Sequence, residues 1–216
     1  MAEKRPLVLW TLANAIGMML GFLAFLEVLM FIGFGLNFKL HWSSDAVEGI
    51  ENPERLFAIG LAVGLPLAGA IFTLCQAFVL RGRLPQVRYW ILAGPVGFAS
   101  VIVLVWPFRE IWGKIPGPVE PFTIVGGGLL MSAVLQWLSL RRQDIEANRW
   151  FVLWIIGLPI GRIMCTGIYL LINLVVSVSW AGEVALVGFF IGGTAAAVSG
   201  TALFRSISTR NKPVDA

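Results

Sequence analysis

Polar and apolar positions in this chain are segregated in blocks. Six nearly uncharged stretches, near residues 8–36, 56–80, 89–107, 119–140, 150–177 and 180–204, are separated by short segments in which the charges collect. As a helix rising about 1.5 Å per residue, each is long enough to cross roughly 30 Å of hydrocarbon. The pattern predicts an all-α integral membrane protein, a single six-helix transmembrane domain over residues 1–216. The first stretch is too long for a removable signal peptide and has no small-residue cleavage site, so a retained span is expected.

The blocks are not independent of one another. Gln76 is followed by Leu80, Arg81 and Trp90, and the same spacing returns sixty residues later as Gln136, Leu140, Arg141 and Trp150. Seven residues beyond each Trp stands a glycine, Gly97 and Gly157, and Trp10 with Gly17 gives the same pair near the start. Aligned on Arg81, Arg205 puts Gly193 on Gly69 and Gly200 where a glutamine would stand. A repeated unit is the expectation. Its copies are hairpins of spans 2 and 3, spans 4 and 5, and spans 6 and 1, arranged with pseudo-threefold symmetry about an axis normal to the membrane.

Charge then sets the orientation. Of the basic residues in the connections and tails, Lys4, Arg5, Arg81, Arg83, Arg88, Arg141, Arg142, Arg149, Arg205, Arg210 and Lys212 fall on the side holding both termini, and only Lys39, Arg55, Arg109 and Lys114 fall on the other. That asymmetry predicts cytoplasmic N and C termini in a bacterial inner membrane. It also accounts for the net charge of +4 without nucleic acid as a partner. The segment from Asn37 to Arg55 carries the only histidine, His41, and a capping-box pattern at Asp45 and Glu48 that predicts a short surface helix. Trp106 and Trp112 mark a compact outer turn, and Cys75 and Cys165, in different spans, are expected as packing residues.

Few residues within the spans carry chemistry. Trp10, Trp90 and Trp150 each begin an odd-numbered span and are expected as interface anchors. Gln76 and Gln136 lie one to two turns inside their helices, where an amide can bond a neighbouring helix or line a mouth. Glu27 and Arg162 are ionisable at membrane depth, where such groups usually face protein or water. They are expected to pair or to form a polar binding element, with Asn14, Thr166 and Asn173 as contributors and Glu183 as a helix-start charge. Gly64-Leu65-Pro66, Gly94-Pro95 and Gly157-Leu158-Pro159 predict interrupted helices whose freed carbonyls need partners. No metal-ligand set, phosphate loop or nucleophile with a histidine base is present at membrane depth.

The run Gln136-Trp137, Leu140-Arg141 and Trp150, with the glycines around it, resembles a group of uncharacterised bacterial multi-span membrane proteins, frequent in cyanobacteria. The resemblance covers about residues 60 to 162 and departs at Ala77, which stands where that pattern has Trp. It implies the repeat and lends no catalytic residue.

The leading expectation is a non-enzymatic accessory or structural subunit of a membrane assembly, whose partners are lipid and other membrane subunits. The alternative is a small-solute or ion transporter, or a binding protein for a small hydrophobic ligand, with a site near Glu27 and Arg162. An intramembrane enzyme is the third reading. The residues specify no cofactor.

Overall fold

The computed structural model describes residues 4–32, 53–105, 119–143, 145, 147–173 and 180–210. Six long helices follow one another: α1 (Lys4–Met30), α2 (Pro53–Leu80), α3 (Val87–Val105), α4 (Val119–Arg141), α5 (Asn148–Asn173) and α6 (Trp180–Arg210). All except α4 are long and apolar enough, over their described residues, to cross a membrane. The chain is a membrane-embedded helical protein. The six helices overlap the six expected spans; α1 ends at Met30 and α6 continues to Arg210, where ends near residues 36 and 204 were expected. The surface helix expected around Asp45 and the turn around Trp112 lie outside the described residues.

Neighbouring helices form an arc. α4 packs on α3, α3 on α2, α2 on α1, α1 on α6 and α6 on α5, whereas α4 and α5 touch only sparsely although a short connection joins them. Leu9, Leu12, Ile16 and Leu20 leave one face of α1 exposed and apolar, as a lipid-facing surface requires.

Small residues set how closely the helices approach. Lipid tails give helices no hydrophobic reason to associate, so close backbone contact must supply the attraction. Gly17 and Gly21 of α1 lie against α2: a Cβ on Gly17 would stand 2.8 Å from Cys75 Cβ, and one on Gly21 would stand 2.8 Å from the Ala68 carbonyl oxygen. In α5, Gly157 and Gly161 meet Ala195 and Ile191 of α6 at 2.5 and 2.7 Å on the same construction, and Gly97 meets Ser132 of α4. The tightest crossing is Gly69 of α2 on Gly94 of α3, where a Cβ on either would run into the other's carbonyl.

The expected helix interruptions are absent. Pro66, Pro95 and Pro159 all lie inside continuous helices. Proline at position i deprives the carbonyl at i−4 of its donor, but a membrane helix continues if a neighbour supplies another. For Pro95 that neighbour is visible: Thr73 Oγ1 of α2 lies 2.8 Å from the Ile91 carbonyl oxygen and 2.9 Å from its own Gly69 carbonyl oxygen. Its single hydrogen can therefore serve the carbonyl that Pro95 leaves free. At the end of α2, Gly82 takes φ +80° and closes the turn, with the Leu80 carbonyl accepting from Arg83 N at 2.9 Å and Leu84 N at 3.1 Å.

Candidate functional site

The polar interior gathers near the helix ends that the 81–86 and 142–147 connections join. Gln76 is its hub. The Gln76 side chain donates through Nε2 to Asn14 Oδ1 at 2.6 Å, and its Oε1 accepts from Trp90 Nε1 at 2.8 Å and from Gln136 Nε2 at 2.7 Å. Asn14 Nδ2 in turn donates to the Trp10 carbonyl at 2.8 Å. Three side-chain amides thus form one directed chain across α4, α2 and α1, ending on backbone. All three are fully buried. Each bond contributes about 0.6 to 2 kcal/mol in a bilayer, where the unpaired alternative is costly.

The tryptophans correct an expectation. Trp10, Trp90 and Trp150 are not interface anchors but are completely buried. They converge on one another: the Trp10 and Trp90 ring centroids are 5.9 Å apart at 66°, and those of Trp90 and Trp150 are 5.5 Å apart at 55°. Phe204 of α6 meets Trp10 edge-on at 6.2 Å. Beginning a helix near the membrane surface says nothing about which way an indole points. Here, each lies on its helix's packed face, and Trp90 shares that face with Gly94 one turn on.

Not every polar atom in this layer finds a partner. Trp10 Nε1, Trp150 Nε1, Trp154 Nε1, Gln136 Oε1 and Ser132 Oγ are buried without a hydrogen bond. Trp10 faces the backbone of Gly200: a Cβ there would lie 2.8 Å from the Trp10 ring and 3.3 Å from its Nε1. The amide that serves Trp90 thus has no counterpart at Trp10.

The loop side carries a second set of contacts. Trp137 Nε1 donates to Asn148 Oδ1 at 2.9 Å, joining the end of α4 to the start of α5. Gln143 Oε1 accepts from the Gln86 backbone N–H at 3.2 Å and bridges the two connections. Arg141 lies over the Trp137 ring at 5.0 Å, and Arg83 over Phe204 at 5.1 Å.

Glu27 and Arg162 are not part of this interior. Glu27 is exposed on the same face of α1 as Ile16 and Leu20, and Arg162 is half-buried on α5, with α6 packed between the two helices. Thr166, also exposed, returns its hydroxyl to the Arg162 carbonyl at 3.0 Å. The side chains of Asn173 and Glu183 lie outside the described residues. Cys75, half-buried, and Cys165, buried, are not joined in a disulfide, and among the described residues no cluster of His, Cys, Asp or Glu could hold a metal.

No family model, curated protein or solved structure matches this chain. Its site is therefore defined by its own geometry. Sequence reasoning named Gln76, Gln136 and Asn14, which the structure brings together, and missed Thr73, Ser132 and Trp154. A signal for Trp154 existed: it stands sixty residues after Gly94, at the place in the repeat where α3 needs its smallest residue.

Proposed function

We propose that this protein is a non-enzymatic, structural or accessory subunit of a membrane assembly, built from three hairpin copies related by an approximate threefold axis, with both termini in the cytoplasm. The observation that carries the reading is the packed layer of Trp10, Trp90 and Trp150 around Gln76, all wholly buried. Large side chains fill the bundle interior at the end where a solute pathway would have to open. A transporter needs water or substrate to reach a central site; an accessory subunit needs a rigid interior and an apolar exterior.

Glu27 then gains a role that lipid cannot supply. An exposed carboxyl on an apolar helix face is best accommodated against another protein's polar group or at the headgroup boundary. The test is purification of the tagged protein from its native membrane in mild detergent, with native mass spectrometry. Co-purification of stoichiometric subunits that Glu27→Gln weakens supports the reading. A lone protein that moves solute in proteoliposomes overturns it.

A further inference from the structure

At one end of the bundle every helix carries an exposed arginine. Arg5, Arg88 and Arg149 stand at the starts of α1, α3 and α5, and Arg81, Arg141 and Arg205 at or near the ends of α2, α4 and α6. They are not scattered around the helices. Arg88 continues the exposed apolar stripe of Leu92 and Val96, and Arg81 continues that of Leu74 and Phe78, at spacings of three and four residues. Arg5 likewise heads the stripe of Leu9, Leu12 and Ile16. The face that meets acyl chains therefore finishes in a guanidinium where the headgroups begin.

Membrane orientation needs positive charge here, and lysine supplies it as well as arginine. Yet from residue 5 to residue 205 this end holds eight arginines, no lysine and two carboxylates, Asp144 and Glu146. Arg81, Arg83 and Arg88 have no Asp or Glu among them. A guanidinium differs from an ammonium in presenting a planar fork of donors that fits a phosphate, and in stacking on aromatic rings.

The α3–α4 pair shows both properties used together. Arg88 lies 5.1 Å from the ring centre of Tyr89, and Arg141 lies 5.0 Å from that of Trp137. Stacking fixes the plane of each guanidinium and leaves its edge to donate. The Gln86 backbone N–H donates to Gln143 Oε1 at 3.2 Å, and Gly97 packs on Ser132 further along, which sets the two helices antiparallel in one register. Arg88, two residues after Gln86, is therefore level with Arg141 and Arg142, just before Gln143. Two neighbouring helices thus bring three exposed arginines to one depth.

We propose that this end of the α3–α4 pair binds an anionic phospholipid, its phosphate oxygens accepting from Arg88, Arg141 and Arg142 and its acyl chains lying over Leu92, Val96 and Leu138. No cavity is required, because the bilayer itself holds the lipid against the protein. A net negative head is selected over a zwitterionic one, whose ammonium would return a positive charge to the arginines. The proposal rests on the chain being membrane-embedded and not on the accessory-subunit reading.

The probe is dioleoyl phosphatidylglycerol, titrated into the full-length protein in neutral detergent and counted as bound lipid by native mass spectrometry, against phosphatidylcholine with the same chains. Phosphatidylglycerol should bind at least about tenfold more tightly, as several arginines near a headgroup imply. Arg88→Gln and Arg142→Gln should each weaken it about fivefold. Arg88→Lys, which keeps the charge and loses the fork, should also bind more weakly than wild type. If a variant fails to insert or fold, the wild-type comparison of the two lipids decides alone. Equal binding of the two lipids overturns the proposal, as does an Arg88→Lys protein indistinguishable from wild type. Displacement of the lipid by inorganic phosphate at the same concentration assigns the arginines to a soluble anion and overturns it too.

Discussion

Trp90 and Gln76 share a 2.8 Å hydrogen bond that ties the start of α3 to the inside of α2, and Gln76 carries two further bonds on the same amide. That one side chain joins α2 to α1, α3 and α4. Gln76→Leu should therefore strand Asn14 Oδ1, Trp90 Nε1 and Gln136 Nε2 at once. The expected loss is about 3 kcal/mol, at roughly 1 kcal/mol per bond. Thermal unfolding in detergent, followed by size exclusion, reads it; a stability equal to wild type would remove the hub from the account.

The tryptophan layer gives a comparison of like with like. Trp90→Phe and Trp10→Phe delete similar volume from the same buried layer, but only the first breaks a bond, since Trp10 Nε1 has none to lose. Trp90→Phe should be the more damaging by about 1 kcal/mol. Equal melting temperatures for the two variants would show that the indole bond contributes nothing.

Proline and threonine should behave as a coupled pair. Thr73→Val leaves the Ile91 carbonyl unserved only because Pro95 cannot donate to it. Thr73→Val alone should cost on the order of 1 kcal/mol, and much less in a Pro95→Ala background, where the helix supplies its own N–H. A strictly additive double mutant argues against this compensation.

Glycine positions should differ sharply in what they tolerate. Gly94→Ala forces a methyl into the Gly69 carbonyl, whereas a methyl at Gly126 meets nothing within 4 Å. The first should cost about 1 to 3 kcal/mol or prevent folding, as overpacking does, and the second should be neutral. Yields of monodisperse protein for the two variants are sufficient to check it.

Much of the fold was legible because membranes leave a chain few choices. Uncharged length gives spans, and small residues at regular distances from each Trp mark the stripes by which helices meet, as Gly17, Gly97 and Gly157 do. The interior amides were legible for the same reason: Gln76 and Gln136 recur at one register. Orientation about a helix axis was harder. Trp10 was assigned to the membrane surface from its depth alone, though its spacing to Asn14 and Gly17 already placed it on the packed face. Glu27 was assigned to the interior from its charge alone, although it continues the exposed stripe of Ile16 and Leu20.

The extensive interface between α1 and α6 joins the earliest of the six helices in chain order to the latest. During synthesis α1 is made with Asn14 and its glycine-facing side uncovered, and waits for the four intervening helices and α6 before Gly188 and Gly192 arrive against Met18 and Asn14. Closing so long a stretch of chain costs little more entropy than closing a shorter one, but it cannot begin early. Final assembly is thus a post-insertion event, and a nascent chain lacking α6 presents a sticky, unfinished edge to whatever insertion factor or quality-control protease meets it first.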